Sequence, residues 1–145
     1  VDKLVLITAG GPDGSDYDQA VWGNARLIKA DGTAVWLDEV PYEYGVAGWA
    51  KPKMNINAYD HEIFIGGKEY KHGVFCHANG TLVYPIKGEY VRFEAVLHAR
   101  FIPNAIAVES QKMTCLYQRM PVQKYLYFLF CSCSATWMIF AITST

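Results

Sequence analysis

Residues 73–84, Gly73-Val-Phe-Cys-His-Ala-Asn-Gly-Thr-Leu-Val-Tyr84, decide how this chain is read. A glycine opens the stretch, an Asn-Gly pair divides it, and apolar residues stand on both sides of that pair. Short apolar runs broken by turn formers read as strands joined by a tight turn. On a strand, successive side chains point to opposite faces. Cys76 and His77 are adjacent, so they point apart and do not readily form the sulfur–imidazole contact that a nucleophilic pair requires. Cys76 then reads as a small buried hydrophobe. His77, beside the turn, is either a satisfied structural histidine or a group offering one donor and one acceptor to a bound hydroxyl. Asn79-Gly80-Thr81 also fits the N-glycosylation acceptor pattern, although Asn-Gly is more simply a turn.

Strand-and-turn patterning continues in both directions. Upstream, Val1–Thr8 reads as a strand with Leu4, Leu6 and Thr8 on one face and Val5 and Ile7 on the other. A loop dense in Gly, Pro, Asp and Ser follows, then a second strand over Ala20–Ile28 and a turn at Asp31-Gly32. Ala34–Leu37 is a short strand. Glu62–Ile65 runs into the hairpin dipeptide Gly66-Gly67 and then Lys68–Tyr70. Tyr90–Val96 is a further strand. Frequent short strands with no helical stripe predict a β-sandwich.

The bulk numbers narrow the function classes. With 145 residues the chain is long enough for one core. A net charge of −1, with scattered Lys and Arg, argues against nucleic acid as the main partner, because phosphate binding needs a basic surface. Ten Tyr and four Trp suit a β-rich domain or one that stacks rings on a ligand. The cysteines Cys76, Cys115, Cys131 and Cys133 contain no C-x-x-C pair, so no zinc-ribbon or thioredoxin pattern is present. His61, His72 and His77 do not converge by spacing on a zinc site. The chain does not begin with Met and opens directly in a strand pattern, which reads as a fragment of a longer protein with other domains.

Residues 101–145 differ in character. Glycine is absent after Gly88, and residues 125–142 carry no charge over eighteen positions. That run admits three readings: a short membrane anchor, a buried strand pair or core helix, or a tail with no designed role. The abrupt change of composition favours the last.

The 73–84 stretch resembles the signature of the NPCBM domain, the novel putative carbohydrate-binding module, grouped with carbohydrate-binding module family 51. Gly73, His77, Ala78 and Leu82-Val83-Tyr84 match its Gly-x-x-x-His-Ala, polar turn and apolar-x-Tyr order. Trp36-Leu-Asp38, Gly48-Trp49 and Ile65-Gly-Gly-Lys-Glu-Tyr70 fall in the family's order upstream. Downstream, Lys87-Gly-Glu-Tyr-Val-Arg-Phe-Glu-Ala95 resembles its G-x-Y-x-R-F-x-A strand. Leu4–Thr8 and Asp18, Ala20, Trp22 and Ala25 resemble the family's closing strands. The resemblance thus divides the chain into residues 1–32, the end of one copy, residues 33–100, the opening part of a second, and residues 101–145, an atypical apolar tail. The expected fold is all-β: a jelly-roll-like β-sandwich, incomplete or circularly permuted, since neighbouring first and last strands tolerate such rearrangement.

The resemblance implies a non-catalytic, extracellular or cell-surface module that binds carbohydrate, often galactose-type glycans, and accompanies a secreted glycoside hydrolase. Sugar sites combine polar groups for ring hydroxyls with an aromatic face for the C–H patch. The candidates are His77 first, then Asn79, Tyr17, Asp18, Trp49 and Trp22, the two tryptophans also reading as core rings. Asp13, Asp16 and Asp18 place three carboxylates within six residues, the donor type of a structural calcium, against the plainer reading of a solvated turn. No other cofactor is implied. A glycosidase needs two carboxylates facing across a cleft. Asp38, Glu39, Glu43, Glu62, Glu89 and Glu94 supply the residue type, but no spacing singles out a pair. The alternative class is a structural or protein-interaction β-domain with an exposed apolar patch or sheet edge and no sugar site.

Overall fold

The computed structural model describes residues 2–10, 14–16 and 18–100, together with the backbone strands at 111–116, 125–132 and 136–143. In chain order the strands are β1 (Lys3–Ala9), β2 (Gln19–Lys29), β3 (Ala34–Trp36), β4 (Tyr44–Val46), β5 (Lys53–Met54), β6 (Ile63–Ile65), β7 (Lys68–Tyr70), β8 (Gly73–His77), β9 (Gly80–Pro85), β10 (Tyr90–Arg100), β11 (Gln111–Leu116), β12 (Tyr125–Ser132) and β13 (Thr136–Thr143). A 3-10 turn, Leu37–Glu39, follows β3.

The strands form two main antiparallel sheets. One runs β12-β13-β1-β9-β4; the other runs β11-β10-β2-β8-β5, with β3 also paired to β2. This is the all-β sandwich that the sequence predicts. β1 buries Leu4, Leu6 and Thr8, as its alternation requires. Its register sets Leu4 opposite Tyr84 and Leu6 opposite Leu82 on β9. In the facing sheet Ala20 lies opposite Cys76 and Trp22 opposite Val74. Those side chains, with Leu27, Phe93, Ala95 and Leu97, form one apolar cluster between the sheets. Each large apolar side chain buried there contributes roughly 1.5–3 kcal/mol.

The inward positions on β2 are Ala20, Trp22, Ala25 and Leu27, so the step from Trp22 to Ala25 is three residues rather than two. A β-bulge explains it. The register with β10 slips between Glu94/Arg26 and Val96/Gly23. Asn24 takes a positive φ of 48° there, and its N–H bonds the His72 carbonyl at 2.8 Å. One extra residue inverts the facing of everything beyond it.

A second, smaller cluster covers the outer face of the β2/β8 sheet. The β6–β7 hairpin turns over Gly66 and Gly67, whose φ values of 58° and 78° favour glycine, and brings Ile63, Ile65 and Tyr70 onto Val21, Phe75 and Ala58. β8 is therefore buried along its whole length.

The Asn79-Gly80 turn does not close a hairpin. β8 and β9 lie in different sheets, so this turn carries the chain from one sheet to the other. Both early strands sit inside the sheets built by later residues: β1 lies between β13 and β9, and β2 between β10 and β8. Backbone from the apolar tail forms the β12–β13 hairpin, and β13 pairs with every residue of β1 from Lys3 to Ala9. Among the described residues no helix is long and apolar enough to cross a membrane.

Candidate functional site

The alternation of β8 separates the two residues of the opening question. Cys76 points into the main core, and its Sγ lies 3.5 Å from the Val46 carbonyl. Burial pushes its thiol up to about 11, so it is neither an available nucleophile nor a ready metal ligand. His77 points the other way, to the outer face at the end of the sheet. A cleft of about 350 Å³ opens there, lined by Asp16, Gln19, Trp49, Tyr59 and His77. Small-molecule sites span roughly 300–1,000 Å³.

The backbone around His77 is heavily braced. The Ala78 N–H donates to the Asp18 carbonyl at 2.8 Å, and the Gly48 N–H donates to the His77 carbonyl at 3.3 Å. The Gly10 N–H donates to Asn79 Oδ1 at 2.9 Å. Three separate segments thus fix one corner. Glycine is required at 48 for a spatial reason: a Cβ there would collide with the Ala78 carbonyl and the Asn79 nitrogen. The close approach of this loop carries Trp49 to the cleft.

His77 is 7% exposed, and its Nδ1 lies 2.5 Å from the Ala78 carbonyl. A carbonyl only accepts, so Nδ1 carries the proton, and in the neutral ring Nε2 is left as an acceptor. Trp49 stands edge to face with the imidazole, centroids 5.9 Å apart and planes at 61°. Its indole is 51% exposed and Tyr59 is 57% exposed, so the cleft has large aromatic walls open to solvent. Asn57 shapes the loop that carries Tyr59: its Oδ1 accepts the N–H groups of Tyr59 at 2.8 Å and His61 at 3.2 Å. The Lys53 ammonium ties the same loop down through the Ala58 carbonyl at 2.9 Å and Asp60 at 2.6 Å.

The structure brings together some of the candidates from the sequence and separates others. His77 and Trp49 line the cleft. Asp16, singled out only as a calcium donor, lines it too. Asp18 is buried, with its backbone committed to the Ala78 corner, and Asn79 uses its side-chain oxygen to hold Gly10. Trp22 is 1% exposed in the main core and presents no face to the cleft. Tyr17 and Asp13 lie outside the described residues. Among the described residues, no three His, Cys, Asp or Glu side chains gather as a metal site would require. Gln19 and Tyr59 escaped sequence reading. Gln19 precedes inward Ala20 and so must face outward, a signal that was available; Tyr59 sits in a loop without periodicity.

Several of the acidic residues considered for catalysis are engaged elsewhere. Glu43 pairs with Lys3, Glu89 with Lys29 and Glu94 with Arg26 and Arg92. Asp38 bonds His72 Nδ1 at 3.1 Å and the Asn55 amide at 2.9 Å. Among the described residues, Asp16 is the carboxylate that lines the cleft, whereas glycoside hydrolysis by general acid and base uses two.

A β-sandwich bearing a surface cleft with aromatic walls, an amide and an imidazole has the architecture of a ligand-binding module. Residues 33–98 match the family model of the NPCBM/NEW2 domain, a family of carbohydrate-binding modules that are generally non-catalytic and typically found in extracellular proteins. No curated protein and no solved structure matches the chain. The matched span holds Trp49, Tyr59 and His77; Asp16 and Gln19 reach the cleft from the preceding segment.

Proposed function

We propose that the chain is a non-catalytic module that binds galactose-type glycans in the Trp49–His77 cleft, as an accessory to a secreted glycoside hydrolase. The observation that carries this reading is the pairing of an exposed indole with an imidazole whose Nδ1 is already engaged. The indole offers a flat apolar surface to sugar C–H groups, and Nε2 of the neutral imidazole accepts from a ring hydroxyl. Gln19 and Asp16 add polar partners from β2 and the turn before it. Asp18 and Asn79 act as positioning residues for the 77–79 corner. Residues 1–32 and 33–100 are read as the close of one NPCBM-like copy and the opening of a second, a reading supported by the way β1 and β2 complete sheets made by the later strands.

Calorimetric titration of the full chain with galactose and N-acetylgalactosamine tests the function. Saturable binding is expected, and His77→Ala and Trp49→Ala each weaken it by at least about tenfold, ~1.4 kcal/mol, while leaving the unfolding midpoint near the parent's. A cooperatively folded parent that binds neither sugar would overturn the proposal. A second reading would then take its place, a protein-interaction domain. It is favoured by edge strand β4, which pairs with β9 alone among the described strands and exposes Tyr44 and Val46.

A further inference from the structure

The cleft does not end at Tyr59. A second groove of about 170 Å³ lies beyond it on the same face of the sheet, and Gln19 and Tyr59 wall both spaces. We propose that the two form one continuous site, so that the chain recognises a neutral glycan of at least two linked rings rather than a single sugar unit. This rests on the sugar-site reading above and deepens it.

The chemistry of the second groove repeats that of the first. Phe64 stands 58% exposed on β6 while its neighbours Ile63 and Ile65 point down into the outer cluster. Large rings usually bury their area, so an exposed phenyl forming a groove wall is a surface for a flat apolar ligand face. Glu62 and His98 supply a carboxylate and an imidazole, as Asp16 and His77 do in the first cleft. His98 follows Val96 by two on β10, which places it on the outer face. Asn57, also in this wall, fixes the backbone of the loop that carries Tyr59, the residue shared by the two spaces. Among the described residues, the linings of both spaces contain a carboxylate each and no Lys or Arg. A sugar carrying its own carboxylate would meet two like charges and no cation among the described lining residues, which favours neutral rings.

The experiment is calorimetry on the full chain with galactose, lactose, melibiose and digalacturonate, for the parent, Phe64→Ala and Glu62→Ala. The parent is expected to bind at least one of the neutral disaccharides about tenfold tighter than galactose and to leave digalacturonate unbound. Phe64→Ala then loses that gain while its galactose affinity stays within about twofold of the parent. Glu62→Ala, an exposed polar change, repeats the test should the first variant fold poorly. Galactose binding with no gain for either disaccharide, or a gain untouched by both substitutions, overturns the extended site alone. Absence of binding to every neutral sugar overturns the sugar-site reading and the extension with it.

Discussion

Cys76 and His77 are consecutive on β8, yet the two faces of one sheet give them opposite chemistry. The inner face is closed by β1 and β9, and Cys76 there is 1% exposed among apolar side chains. The outer face is closed in its middle by the β6–β7 hairpin, but its end is left open, and His77 there lines a cleft. The difference teaches that chemistry on this sheet is set by what covers each face rather than by which residue types the strand carries. The same division separates the tryptophans: Trp22 faces inward and packs, whereas Trp49 sits on a loop across the outer face and stays half exposed.

The largest test of that division is Trp22→Ala. Loss of an indole from the main core is expected to cost about 3–5 kcal/mol, read as a collapse of the urea unfolding midpoint. A variant as stable as the parent would break the distinction between core and cleft tryptophans. Next comes the pH dependence carried by Cys76. Its thiol titrates near 11 in the folded chain, above the ordinary value of 9.0. The unfolded thiol therefore loses its proton first, and stability falls as pH rises from about 9 to about 11, by on the order of 2 kcal/mol. Cys76→Ala should remove that part of the decline, and urea midpoints of the two proteins across this interval would show it. An equal decline in both would mean that the thiol is not shielded.

Gly48→Ala sharpens the comparison from the outer side. The new methyl collides with the 77–79 corner, and the expected cost is about 1–3 kcal/mol together with weakened galactose binding. Unchanged binding would separate Trp49 from the site. The smallest effect concerns Tyr84. Its hydroxyl is buried in the main core with no hydrogen-bond partner among the described residues, its ring is edge-on to Tyr42, and burial raises its pKa. Tyr84→Phe removes that unpaired group and is expected to stabilise the chain by about 1 kcal/mol in the same urea measurement. A destabilised variant would mean the hydroxyl has a partner.

Strands with clean alternation were legible in the sequence because period-two burial is written into residue order. Leu4, Leu6 and Thr8 on β1 are such a case, and Gly66-Gly67 marked its hairpin through the positive φ values that glycine favours. β4 and β5 were not legible: they are three and two residues long, and no hairpin dipeptide marks them as Gly66-Gly67 marks the equally short β6 and β7. The β2 bulge hid for a related reason. A positive φ at Asn24 changes the facing of Ala25 and Leu27, and nothing in the side-chain order announces it. Asn79-Gly80 was legible as a turn, but residue order does not say that the strands it joins lie in different sheets.

By itself the sequence determined the all-β class, the inward rows of most strands, the opposite facing of Cys76 and His77, and the likeness of residues 33–98 to the NPCBM/NEW2 domain. These follow from local rules: alternation, turn chemistry and ordered motifs. Only the tertiary structure decided which sheet each strand joins, which tryptophan is a wall and which is core, and that Asp16, Gln19, Trp49, Tyr59 and His77 share one cleft. Those residues come from a turn, two strands and two loops. Their meeting depends on long-range pairing across the sheet and on the close approach at Gly48, distances that no window of neighbouring residues contains.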